Sequence, residues 1–139
     1  MDVDELLRLS RSAAWSDRAD AGRELSAFAG SLEVDAALGR LLLDIGDTAV
    51  IDATAEALLR RGDVVALRLF AAAWASAEGE TSDHLYGCLS GHLYELSCAA
   101  PEDRIRYRMM LRQLLASPDV AVRAGAQGLL DQVARALPD

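Results

Sequence analysis

The chain has 139 residues, a single domain's length, and 52% of them are hydrophobic, enough to close one continuous core. That share is mostly Leu and Ala, aromatics make up 5%, and no alternating apolar runs stand between turn signals, so a sheet is excluded in favour of an all-α fold. Acids outnumber bases 22 to 14, every base is Arg, and the net charge of -8 argues against nucleic acid, which requires an uncompensated cationic face.

The first ten residues, MDVDELLRLS, carry acids where a secretory signal needs positive charge. The most apolar stretch, residues 64–77, is interrupted by Arg68 and too short to span a bilayer, so the expected compartment is the cytoplasm with no membrane partner. Cys88 and Cys98 are expected as reduced thiols. Ten residues apart on one helix, they would lie roughly 15 Å apart, too far to bridge.

In chain order, the spacing predicts a short helix over residues 3–11 with Leu6, Leu7 and Leu9 inward, then one over 16–29 with Ser16 as cap and a stripe of Ala21, Leu25, Phe28 and Ala29. A third helix, 34–45, follows Ser31, stops at Gly46 and buries Leu38, Leu41, Leu42 and Ile45. Asp47 caps a fourth, 48–61, which ends on Arg60, Arg61 and Gly62, the chemistry of a tight helical hairpin. Asp63 caps a fifth, 64–77, apolar nearly all round and therefore central, with Phe70 and Trp74 expected to be largely buried. The polar stretch Gly79-Glu80-Thr81-Ser82-Asp83 reads as a connector whose Thr81 or Ser82 caps a sixth helix, 83–99. Pro101 restarts the chain for a seventh over 102–116, and Ser117-Pro118 opens the last, which ends near Leu137.

Superposed on these helices is a repeat. Leu25, Leu58, Leu93 and Leu130 recur 33, 35 and 37 residues apart, and the segments from Asp47 and from Ser117 align at an offset of 72, Val50 on Val122, Thr54 on Ala126 and Leu58 on Leu130. Asp47-Thr48-Ala49-Val50 with Ala53, Ala55, Ala57 and Leu58, and Pro118-Asp119-Val120-Ala121-Val122-Arg123 with Ala126 and Leu130, resemble the second helix of a HEAT repeat in a small bacterial HEAT-like protein. The first repeat matches more loosely, through Trp15, Arg18, Ala21, Leu25 and Ala29. The resemblance implies one domain, 1–139, built as a right-handed α-α superhelix, a short solenoid of about four antiparallel pairs over residues 3–29, 33–61, 63–99 and 102–137. It also implies an arginine ladder, for which Arg18 and Arg123 are counterparts while Ile51 and Tyr86 stand in the middle repeats; the third pair, carried by Leu85, Leu89 and Leu93, matches least.

In such a stack the second helices line one face, which binds protein. Asp20 with Glu24 and Asp52 with Glu56 would make that face an acidic strip suited to a basic partner, with Tyr86, Arg123 and Gln127 as further candidate binding residues. The expected function is a non-enzymatic protein-interaction module. An immunity or antitoxin protein that occludes a basic toxin is the alternative, and oligomeric state is left open. A third reading, a metal or enzymatic site, rests on His84, Cys88 and His92 at i, i+4, i+8. One straight helix holds its outer members roughly 12 Å apart, so a second helix would have to contribute. Catalytic motifs and phosphate-binding glycine loops are absent from the sequence, and no cofactor is expected. Gly87 and Gly91 weaken that helix and are expected to admit a neighbouring helix or a ligand.

Overall fold

The computed structural model describes residues 1–137, which form eight α-helices and no strand. They are α1 (Val3–Leu9), α2 (Trp15–Leu25), α3 (Leu32–Leu42), α4 (Thr48–Arg61), α5 (Val64–Ser76), α6 (Gly79–Ser97), α7 (Pro101–Leu114) and α8 (Val120–Ala136). None is long and apolar enough to cross a membrane.

Helix ends follow side-chain chemistry. Asp47 and Asp63 cap α4 and α5, accepting from the amides of Ala49 at 2.8 Å and Ala66 at 2.9 Å. Between them Gly62 turns the chain with φ 69°, a left-handed angle costly for residues with a Cβ. Elsewhere the boundaries shift from expectation. Helix α2 starts behind Ala14 rather than at a Ser16 cap and ends at Leu25, where residues 26–28 tighten into a 3-10 turn. The cause is Arg61 of α4, whose guanidinium donates to the carbonyls of Ser26 at 2.8 Å and Ala29 at 3.2 Å. Helix α3 stops at Leu42 because the Asp44 carboxylate captures the amides of Gly46 and Asp47, at 2.8 and 2.9 Å. Ile45, expected in the buried stripe, is therefore 99% exposed. Phe28 is likewise exposed. The stretch from Gly79 to Asp83 is the first turn of α6 and not a connector, so neither Thr81 nor Ser82 caps it. Asp119, not Ser117, caps α8 by accepting from Ala121 at 2.9 Å.

Arginines donate to further carbonyls at helix ends and in the loops between helices. Arg18 donates to Ser12 and Ala13, Arg104 to Leu96 and Ala99, Arg108 to Leu137, and Arg123 to Ser117.

In the core, α1 packs on α2, α3 on α4 and α7 on α8, while α2, α4 and α6 pack side by side in succession. Helix α5 is central, touching α3, α4, α7 and α8, with Leu67, Phe70 and Ala71 sealed from solvent. Its main partner is α8, not the α6 that follows it, and α6 touches α7 and α8 only slightly. Two glycines explain the closest approaches. A Cβ on Gly125 would overlap the Ala71 carbonyl of α5, and one on Gly22 would overlap Oγ1 of Thr54 across the α2–α4 contact. The Thr54 hydroxyl, fully buried, donates to Val50 O at 2.8 Å, so it adds no unpaired polar atom.

The α5–α8 contact also turns α8 about its axis relative to the repeat register. Leu25, Leu58 and Leu93 are buried, but on α8 the fully buried residue is Leu129, and Leu130 is half-buried. Trp74, expected to be largely buried, is half-buried, stacked between Phe70 and Tyr86 at ring distances of 6.1 and 6.4 Å.

Candidate functional site

Helix α2 exposes Asp20 and Glu24 beside the stripe of buried Ala21 and Leu25, and α4 exposes Glu56. Asp20 is paired with Arg23 at 2.9 Å on the surface, where such a bond contributes little. Asp52 is the acid turned toward a neighbour. Its Oδ1 lies 2.9 Å from Nδ1 of His84 and 3.6 Å from Sγ of Cys88, linking α4 to α6. Sequence spacing put His84, Cys88 and His92 on one face of α6; the structure adds Asp52 from a second helix but leaves His92 a turn further on, against Tyr107 of α7 at 5.4 Å between rings.

The electrostatics of this cluster follow from those contacts. The bond to Asp52 raises the pKa of His84, outweighing its slight desolvation, with Glu80 and Asp83 adding to the effect. The Cys88 thiol is pushed up to about 12, first by burial and then by the carboxylates of Asp52 and Glu56, so it is protonated at neutral pH and a poor nucleophile. Burial lowers the pKa of His92, against a smaller opposing pull from Glu95, and keeps its ring neutral. Among the described residues no group of three or more His, Cys, Asp or Glu side chains is arranged to hold a metal ion.

Between α4 and α6 runs a groove of about 310 Å³. Gly87 and Gly91 floor it on the α6 side and Glu56 and Arg60 flank it from α4. A Cβ at either glycine would meet nothing within 4 Å, so no helix approaches them; they keep the groove open. Past Arg60, His92 and Glu95 it continues into a second recess of about 300 Å³, closed by α7 through Tyr107 and Met110. Tyr107 is only 3% exposed, its hydroxyl has no hydrogen-bond partner among the described residues, and burial raises its pKa.

On its other flank α6 is separated from α8 by a cleft of about 470 Å³, lined by Tyr86, Tyr94, Leu89, Leu93, Gln132 and Arg135. Tyr86 is 52% and Tyr94 65% exposed. Arg123 and Gln127 are exposed on α8, Gln127 donating to Asp131 at 3.1 Å; no bond joins either to the acids of α2 and α4. Arg18 joins α2 to the loop after α3, bonding Asp44 at 2.7 Å. Burial alone would raise the pKa of Asp44, but that bond and the amides of Asp47 and Gly46 together hold it below the ordinary carboxylate range. Sequence reasoning missed Tyr107 and Tyr94. Tyr107 left one signal, a polar-tipped aromatic at the head of the apolar stripe Tyr107, Leu111, Leu114.

No family model matches the chain, and no curated protein does. Among solved structures it is similar to two engineered proteins studied by the Northeast Structural Genomics Consortium. One is 20% identical with a TM-score of 0.46, over 96% of this chain and 63% of that one. The other is 19% identical with a TM-score of 0.38, over 99% of this chain and 40% of that one. The chain thus spans less than two thirds of either.

Proposed function

We propose that the chain is a non-enzymatic protein-interaction module of HEAT-like helix pairs, a short right-handed superhelix whose α2–α4–α6 face receives a basic protein. The observation that carries this is the side-by-side packing of α2, α4 and α6 beneath exposed Asp20, Glu24, Glu56 and Glu95. Complementary charge of this kind speeds encounter and selects partners. A protonated Cys88 and an Asp52 already engaged by His84 favour a binding role over catalysis. A basic toxin is one partner of this chemistry, which would make the module an immunity-type inhibitor.

The test uses two variants of equal charge: Glu24→Arg with Glu56→Arg on the face, and Glu33→Arg with Glu102→Arg on exposed sites of α3 and α7. Binding of a labelled arginine-rich peptide is followed by anisotropy across a salt series, since exposed charges are screened over about 8 Å at physiological ionic strength. The face variant is expected to bind at least tenfold more weakly than wild type and the control within about twofold. Equal loss in both would assign the attraction to net charge and refute the face.

A further inference from the structure

We propose that the recess at the α1–α3 end of the molecule is a docking site for an acidic, aliphatic segment of a partner protein. One carboxylate of that segment lies between Arg11 and Arg40, and a neighbouring aliphatic side chain packs on Leu43 and Ile45. The inference goes beyond the basic-partner reading and does not rest on it, since Asp20, Glu24, Glu56 and Glu95 all lie outside this recess.

The recess has a volume of about 620 Å³ and an exposed lining that is mostly apolar. It is formed by the end of α3, the loop after it, Ser10 and Arg11 just past α1, and Arg18 of α2. Its charge is the first observation. Among the described residues neither Arg11 nor Arg40 has a hydrogen bond or an ion pair, although both are exposed on the same recess. Asp44 stands four residues after Arg40, a spacing that pairs charges within a helix, but α3 stops at Leu42. The Asp44 carboxylate is taken instead by Arg18 at 2.7 Å and by the amides of Gly46 and Asp47. Burial and, after it, the charge of Arg11 lower the pKa of Arg40, with no carboxylate pulling the other way. This local excess of cations runs against the chain's net charge of -8. Two like charges without a counter-ion repel each other, and an incoming carboxylate relieves the repulsion.

The second observation is a fixed apolar anchor. Ile45 is 99% exposed, yet its loop is tied to α2 through Arg18 and closed through the two amides on Asp44. A side chain held out in one place loses little freedom when a partner covers it. Half-buried Leu43 and buried Leu41 continue the apolar lining. A guanidinium offers a carboxylate forked, weakly hydrated donors. A phosphate would satisfy the cations alone and leave the aliphatic lining in water, and a basic segment would be repelled.

The experiment titrates the full chain with the blocked tripeptide leucyl-glutamyl-leucine, its glutamine analogue, the same peptide with alanine in place of leucine, and inorganic phosphate. The methyl signals of Leu43 are followed by NMR. Ligands of this size bind at about millimolar concentration. The first peptide is expected to shift Leu43 saturably, the glutamine analogue about fivefold more weakly and the alanine peptide about threefold more weakly. Arg11→Gln and Arg40→Gln should each weaken binding about threefold with the melting temperature unchanged or higher, because each removes one of two cations that repel. Ile45→Ser should weaken it similarly without loss of stability, the side chain being exposed. Arg112→Gln, an equal change of charge at an exposed site on α7, should bind like wild type. A silent Leu43, equal binding of the glutamine analogue, phosphate that binds as tightly as the peptide, or an equal loss in Arg112→Gln overturns the proposal.

Discussion

Replacing Gly125 by Ala tests how α5 and α8 are joined. On an open helix face this change stabilises by about 1 kcal/mol through helix propensity. At Gly125 the added methyl would overlap the carbonyl of Ala71 and stand 2.9 Å from its Cα. These are backbone atoms in the middle of α5, so no rotamer change, and no substitution at position 71, relieves the overlap. The helices must part by roughly 1 Å or more, and a gap of that size forfeits a quarter to a half of the dispersion energy of the contacts it separates. Overpacking normally costs about 1–3 kcal/mol, and occasionally more; the rigid obstacle and the length of this contact place Gly125→Ala at about 3 kcal/mol, or about 2 kcal/mol net of propensity. Gly39→Ala and Gly87→Ala, whose methyls meet nothing within 4 Å, serve as controls and should each gain about 1 kcal/mol. Urea unfolding followed by circular dichroism reads all three. A Gly125→Ala protein as stable as its controls would show that α5 and α8 do not touch backbone to backbone, and the packing of α5 would have to be redrawn.

The rotation of α8 separates two adjacent leucines: Leu129→Ala should cost about 2–5 kcal/mol, and the half-buried Leu130→Ala less than half as much, in the same denaturation assay. Equal losses would restore the strict repeat register. The two histidines should titrate on opposite sides of 6.5, His84 above and His92 below, as read from ring resonances in an NMR pH series. Because the folded pKa of His84 is raised, its bond to Asp52 contributes fully below the unfolded value and is lost as pH rises through the folded one. His84→Ala should therefore lower the melting temperature at pH 5.5 and lose that effect by pH 9; a deficit that persists at pH 9 would mean the ring acts by packing.

The parts of the fold legible in the sequence are those decided locally. Asp47, Gly62 and Asp63 lie next to the helix ends they define, and the expected bounds of α4 agree with the observed ones. The boundaries that moved were decided from a distance. Arg61 tightens the end of α2 across some thirty residues of sequence, and the loop after α3, held by Asp44, is tied to Arg18 on α2. Neither partner is marked by any short-range pattern. The candidate site divides similarly. The exposed acids of α2 and α4 are visible from helical spacing alone, whereas the bond from Asp52 to His84 depends on which helix lies beside α6. For Gly87 and Gly91 the spacing left a neighbouring helix and a ligand as alternatives, because it cannot distinguish a glycine a helix presses on from one left open; no helix presses on these two, and Gly22 and Gly125 are the pressed ones.

The open α8 flank of α6 and the tight seat of α8 have one cause. Helix α5 is apolar on nearly every side, and one neighbouring helix cannot cover such a surface. It takes α8 along the Ala71–Gly125 contact as well as α3, α4 and α7, and once α8 is drawn to α5 it is no longer available to cover α6. Helix α6 is left with α4 as its one extensive neighbour, a groove toward α7 on one flank and a tyrosine-lined cleft toward α8 on the other. Its composition is consistent with that position, since Gly87, Ser90, Gly91 and Tyr94 occupy its exposed side while Leu85, Leu89 and Leu93 form a stripe one residue wide. A regular stack would have buried the second flank between α6 and α8. The seat of α8 on α5 therefore leaves the α8 flank of α6 open, and the tyrosine-lined cleft there depends on the close contact between Ala71 and Gly125.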